Sequence, residues 1–98
     1  MKEKIQENLK GILGDLYNSD DFDIKEFDIN IQENKEKEHG DLASNIALVL
    51  AKPLGKNPKE IADEIKDNYF TDEDITKVEV AGPGFINFFL SKKSHGSV

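Results

Sequence analysis

Two sets of residues in this chain have the types and spacing to do chemistry. The first is Phe85, Asn87 and Phe89, which alternate with Ile86, Phe88 and Leu90 behind the turn Gly82-Pro83-Gly84. Successive side chains of a strand point to opposite faces. One face is therefore plain core, and on the other an amide sits between two aromatic rings. Rings stack on nucleobases and an amide matches a base edge, adenine above all, so this chemistry is recognition rather than catalysis. The same pattern also fits a strand buried on both faces, with Asn87 satisfied by a neighbouring backbone group. The second set is His39-Gly40-Asp41, a histidine and a carboxylate spaced for an acid–base dyad. No recognisable motif places a nucleophile beside it, and nothing singles out Ser44 or Ser94. A tight turn at Gly40, with Asp41 capping the next helix, accounts for the tripeptide without chemistry, and no catalytic residue is assigned. His39 and His95 form no metal-ligand pattern, so no metal site is expected. Gly82-Pro83-Gly84 lacks the lysine of a phosphate loop and opens a strand instead of a helix.

Composition narrows the classes further. A chain of 98 residues with 37% hydrophobic and 34% charged content is one domain at most, with one modest core. The net charge is −7 and all 13 basic residues are lysine. Tight nucleic-acid binding through phosphates needs a concentrated basic footprint, and the bidentate fork of arginine is missing. Any RNA contact should be local, small and base-directed. The absence of cysteine suits a cytoplasmic location. The N-terminus lacks the apolar stretch of a signal peptide, and no run approaches the roughly 20 apolar residues of a membrane span.

The elements that must position these residues follow from periodicity. Ile5, Leu9, Ile12, Leu13, Leu16 and Tyr17 mark an amphipathic first helix. Phe27, Ile29 and Ile31 alternate with polar residues as a half-buried strand, and residues 33–38 read as a solvated loop. The spacing predicts a second helix over 42–52, with Ala43, Ile46, Ala47 and Leu50 inward, Asp41 or Ser44 as cap and Pro53 and Gly55 as its end. Asn57-Pro58-Lys59-Glu60 opens a third helix with inner residues Ile61, Ala62, Ile65 and Tyr69. Val78 and Val80 begin a strand that turns through Gly82-Pro83-Gly84 into the strand 85–90. The polar tail 92–98 is expected to fray. The order helix, strand, helix, helix, strand, strand describes an α+β domain, a small, mainly antiparallel sheet with helices packed on one face. The opposite face is then free for a partner.

Three segments in this order, His39-Gly40-Asp41-Leu42-Ala43-Ser44-Asn45-Ile46-Ala47, Asn57-Pro58-Lys59-Glu60-Ile61-Ala62 and Val78-Glu79-Val80-Ala81-Gly82-Pro83-Gly84-Phe85-Ile86-Asn87-Phe88, resemble the N-terminal additional domain of bacterial arginyl-tRNA synthetase. The resemblance covers residues 1–91. It implies an α+β module that precedes a class I catalytic domain and contacts the D-loop at the outer corner of the tRNA. An aromatic and an amide side chain after the glycine-proline turn would read a D-loop base there, at the positions of Phe85 and Asn87. No family role is carried onto Phe89, which could help pack the platform. Neither nucleotide-binding signature of the catalytic domain is found in these residues. The chain alone is expected neither to use ATP as a cofactor nor to attach arginine, and an excised domain of a longer synthetase is favoured over a free-standing relative. The partners implied are arginine tRNA and the parent's catalytic domain, with a monomer and no membrane expected. Lys52, Lys56, Lys92 and Lys93 are candidate phosphate neighbours, with ordinary solvated lysines the favoured reading.

Two other functions compete with tRNA binding. The same sheet face could dock a protein or another domain, in which case Phe85 and Phe89 matter and Asn87 does not. A small hydrolase using His39 and Asp41 is the third.

Overall fold

The computed structural model describes residues 2–17, 27–35 and 40–91. The tail 92–98, with Lys92, Lys93 and His95, lies outside the described residues, as do His39 and residues 36–38 of the loop expected over 33–38; of that loop Glu33 instead ends a strand.

Three helices and four strands follow in the order α1 (Lys2–Tyr17), β1 (Ile31–Glu33), β2 (Leu42–Ser44), α2 (Ile46–Leu54), α3 (Pro58–Asn68), β3 (Ile75–Ala81) and β4 (Phe85–Leu90). The strands form one sheet in the order β1-β2-β4-β3, every pair antiparallel. The α+β class is as the sequence predicts.

Each helix takes its place through its apolar stripe. In α1, Ile5, Leu9 and Leu13 recur every fourth residue and are fully buried; Leu16, assigned to that stripe from spacing, stands at the rim and is exposed. The start of α3 is the one the sequence announces. Asn57 Oδ1 accepts from the Lys59 N–H at 2.9 Å, and Pro58 sits where no N–H is needed. Ile61, Ala62 and Ile65 are fully buried, and Tyr69 follows just past the helix end. The Tyr69 ring packs 5.5 Å from the ring of Phe88, tilted by 57°. Its hydroxyl accepts from Asn8 Nδ2 at 3.0 Å, which ties α3 to α1.

The second helix departs from its prediction. Residues 42–44 are strand β2, and α2 begins only at Ile46. The apolar stretch through Leu42, Ala43, Ile46 and Ala47 has helical spacing, but Leu42 pairs with Phe88, Ala43 with Asn87 and Ser44 with Ile86, while β1 pairs on the other side. Two ladders override the helix propensity of leucine and alanine. Asp41 accordingly caps no helix. Its N–H donates to the Phe88 carbonyl at 2.9 Å, and its Oδ2 accepts from the Leu90 N–H at 2.8 Å. Ser44, the other cap candidate, does meet the helix start: its Oγ accepts from the Ile46 N–H at 3.2 Å. Pro53 lies inside α2, and the helix closes at Gly55, whose N–H and that of Lys56 return to the Lys52 and Ala51 carbonyls. The segment 27–30, expected to be strand, becomes strand only at Ile31, although Ile29 is buried and its carbonyl accepts from Gln6 Nε2 at 2.7 Å.

The core lies between the helices and the inner sheet face, where Ile86 and Phe88 are fully buried with Ile75, Ile46 and Leu50. Beyond α3, Asp72 Oδ1 accepts from the N–H groups of Asp74 and Ile75 and fixes the turn into β3. Lys4 closes this corner with contacts of 2.7 Å to Asp72 and 2.9 Å to Asp74.

Candidate nucleic-acid interface

Strand β4 is central in the sheet, and its alternation works as expected. Ile86 and Phe88 face the helices, while Phe85, Asn87 and Phe89 face the other way. The three outward residues then differ sharply from one another.

Phe85 is 42% exposed. It follows directly on the hairpin turn, and that turn is wedged against α3. A Cβ built on Gly84 would lie 2.9 Å from the Cβ of Pro58, and φ at Gly84 is +152°. Only glycine allows both the backbone angle and the approach. The helix start that the sequence announces therefore also anchors the turn that presents Phe85.

Asn87 is only 8% exposed. Its register partners are Ala43 on one side and Glu79 on the other. From above it is crowded by Gly40, which has φ +109° and where an added Cβ would stand 3.1 Å from the Asn87 Cβ. Asn34 Nδ2 donates to the Gly40 carbonyl at 3.1 Å and holds that backbone in place. The amide of Asn87 nevertheless has no hydrogen-bond partner among the described residues. Nor is it sealed off, because Tyr17 Oη is the one fully buried, unpartnered side-chain polar atom among them. The alternative of a strand buried on both faces is thus half right: Asn87 is enclosed, yet no backbone group among the described residues satisfies it. Its neighbours explain why, since Ala43 has nothing to offer and Glu79 is bound to Lys77 at 2.7 Å. The Lys77 ammonium beside Glu79 also holds its carboxyl below the usual range.

Phe89 is covered. The Lys77 ammonium lies 5.2 Å from its ring centroid, a cation–π distance. Of the two rings that flank the amide, Phe85 is the one left open to stack.

The other residues singled out from sequence are not brought to this place as catalysts. Asp41 is committed to the Leu90 N–H and Ser44 to the Ile46 N–H. Lys56 contacts Glu64 at 3.4 Å and stands 4.9 Å over the Tyr17 ring, so it is not a loose phosphate neighbour. Lys52 is exposed at the end of α2. No group of three or more metal-ligating side chains occurs among the described residues. No helix among them is long and apolar enough to cross a membrane. A hollow of about 660 Å³ between α1, residues 27–30 and the start of α2 includes Gln6, Lys10, Asp28 and Asn45, and no residue of β4 lines it.

Sequence reasoning missed the residues that hold the site from behind. Gly40 was read as a turn residue and Pro58 as a helix start only. No local signal locates β2, because Leu42, Ala43 and Ser44 fit helical spacing and become strand only through their pairing with Phe88, Asn87 and Ile86.

Comparison with known proteins follows this geometry. The family model described as the arginyl tRNA synthetase N terminal domain matches residues 1–90. An arginine–tRNA ligase of Shewanella amazonensis is 45% identical over 94 residues, which cover 92% of this chain and 16% of the ligase. One from another Shewanella species is 53% identical over 62 residues, 63% of this chain and 11% of the ligase. The chain thus spans only a small part of the curated relatives it matches. Among solved structures, an arginyl-tRNA synthetase of Thermus thermophilus superposes with a TM-score of 0.76 over 96% of this chain and 14% of its own, at 22% identity, and so shares the fold. One of Plasmodium falciparum gives the same TM-score at 19% identity over 97% of this chain and 17% of its own. With a sheet, a helix start and a hairpin in the three sequence segments, and a family match running almost end to end, the chain belongs to the family of arginyl-tRNA synthetase N-terminal domains.

Proposed function

We propose that this chain is a tRNA-binding accessory domain of an arginine–tRNA ligase, which contacts the D-loop at the outer corner of arginine tRNA and helps select it for charging. The observation that carries this reading is an open ring, Phe85, two residues from an enclosed amide, Asn87, with no partner among the described residues. Phe85 stacks on an unstacked loop base, and Asn87 takes up hydrogen bonds along its edge. An enclosed amide with no partner among the described residues is poor core design and useful recognition design, because a base lacking the matching edge would leave it unpaired. Ligation itself, with its use of ATP, is assigned to a class I catalytic domain in the parent enzyme, which is also the domain's second partner. A cytoplasmic monomer fits this role.

Docking of a protein on the same face is the weaker reading. Phe89 is screened by Lys77, and the neighbours of Phe85 on that face are amides and a charged pair, so little contiguous apolar area is available.

The test is a titration of the 98-residue chain with arginine tRNA and with tRNA altered at single D-loop bases, following backbone amide shifts. Shifts centred on Phe85 and Asn87 that vanish with one base change are expected. Shifts that ignore every D-loop change would remove the D-loop reading.

A further inference from the structure

Beside the open ring of Phe85 lies a small hollow of about 110 Å³, bounded by Gln32, Asn34, Ala43, Ser44, Asn45 and Phe85. Its floor is Ala43, which stands in register between Gln32 on β1 and Asn87 on β4. The small side chain of Ala43 separates these two amides, of which Gln32 borders the hollow and Asn87 does not. Three amide side chains thus surround one alanine: Gln32 and Asn87 across the sheet, and Asn45 at the end of β2.

None of these three has a hydrogen-bond partner among the described residues. For Asn45 this is unusual. It occupies the N-cap position of α2, where an asparagine normally accepts from the first turn, yet it makes no such bond. Ser44 Oγ meets the Ile46 N–H instead. The Asn45 amide is therefore uncommitted among the described residues.

The geometry points to this hollow as the seat of a ribose 2′-hydroxyl, that of the nucleotide whose base stacks on Phe85, so that the domain distinguishes RNA from DNA through Gln32 and Asn45. This rests on the base-stacking role given to Phe85 above. Three features choose the ligand class. No cation lines the hollow, which disfavours a phosphate. A volume of about 110 Å³ matches about three or four waters, at about 30 Å³ each; this is room for a sugar edge and too little for a nucleotide. Amides donate and accept at once, as a hydroxyl does, and the 2′-hydroxyl is the group that marks RNA.

The experiment compares two hairpins with the D-arm sequence of arginine tRNA, one all-ribose and one with 2′-deoxy sugars in the loop, each titrated into the 98-residue chain. The expected result is about 3- to 10-fold tighter binding of the ribose hairpin, the worth of one neutral hydrogen bond. That preference should fall toward one in Gln32→Ala and in Asn45→Ala. Gln32 is exposed on an edge strand, so its variant keeps the test open if Asn45→Ala folds poorly. Asn87→Ala serves as the contrast, weakening both hairpins alike and keeping the preference. Equal binding of the two hairpins, with shifts still at Phe85 and Asn87, would overturn the hollow and leave base recognition standing. An equal loss for both hairpins in the Gln32 and Asn45 variants would also overturn it. Binding of neither hairpin would overturn both readings together.

Discussion

The carboxylate of Asp41 accepts the backbone N–H of Leu90 at 2.8 Å, while the Asp41 N–H donates to the Phe88 carbonyl. A side chain thereby prolongs the β2–β4 ladder ahead of Leu42, the first residue of β2, and holds β4 at Phe88 and Leu90. Asp41→Ala should lower the unfolding free energy by about 1.5–3 kcal/mol, the range for a hydrogen bond to a charged group. Asp41→Asn, which keeps an acceptor, should lose less. Urea denaturation of the two variants is the check, and equal midpoints for Asp41→Ala and the parent would contradict the role.

Gly84 and Gly40 hold the outer face through close approach, to Pro58 and to Asn87 respectively. Substituting alanine at either position should cost about 1–3 kcal/mol for the backbone conformation alone. The two should differ in what else moves: Gly84→Ala should displace the Phe85 resonances, and Gly40→Ala those of Asn87. Amide and side-chain shift maps of the two variants would separate these effects.

Asn87→Ala should be close to neutral for stability, within about 1 kcal/mol, because no hydrogen bond inside the described residues is lost. Phe85→Ala should likewise unfold near the parent midpoint, yet lose about 1–3 kcal/mol of RNA affinity through the missing stack. Phe88→Ala, one residue along and facing the core, should do the reverse and cost about 3–5 kcal/mol of stability. Thermal melts paired with tRNA titrations of the three variants would show whether adjacent positions on β4 divide in this way.

Acid should loosen the corner between α1 and β3. The Lys4 ammonium and the backbone N–H groups of Ile75 and Asp74 lower the Asp72 carboxyl from 3.8 to about 2. The unfolded chain then binds the proton first, so the contribution of this group is complete above about pH 4 and is lost as pH falls through about 2. At the alkaline end, burial raises the Tyr69 phenol above 10. Its contribution is intact below that value and is lost as the pH rises through the folded-state value. Denaturation midpoints at pH 5, 3 and 2 for the parent and for Lys4→Met test the acid limb. The two curves should converge at the lowest pH, and parallel curves would exclude the Lys4–Asp72 pair as the cause.

What could be read from the residues depended on how local their causes were. The α3 start was legible because Asn57, Pro58 and Glu60 act on backbone within one turn. The hairpin was legible for the same reason, and so was the split of β4 into two faces. β2 was not, since nothing within Leu42-Ala43-Ser44 says strand; the cause lies in Phe88 and Asn87, far along the chain. Asp41 was misassigned by the same error, because its true partner Leu90 is equally remote. At the site, Phe85 and Asn87 could be named from alternation and resemblance alone. That Phe89 is screened depends on Lys77, and that Asn87 is enclosed depends on Gly40, and both contacts exist only after the strands pair.

The three-residue strand β2 also fixes when the recognition face comes into being. β3 and β4 are joined by a short turn and form with little loop-closure cost, whereas β2 must find β4 across some forty residues of chain. Asn87 lies on the fast side of that seam, and Ala43 and Asn45 lie on the slow side. Loop-closure cost therefore orders the hairpin that carries Phe85 ahead of the β2–β4 seam, and the complete surface depends on the costlier of the two closures.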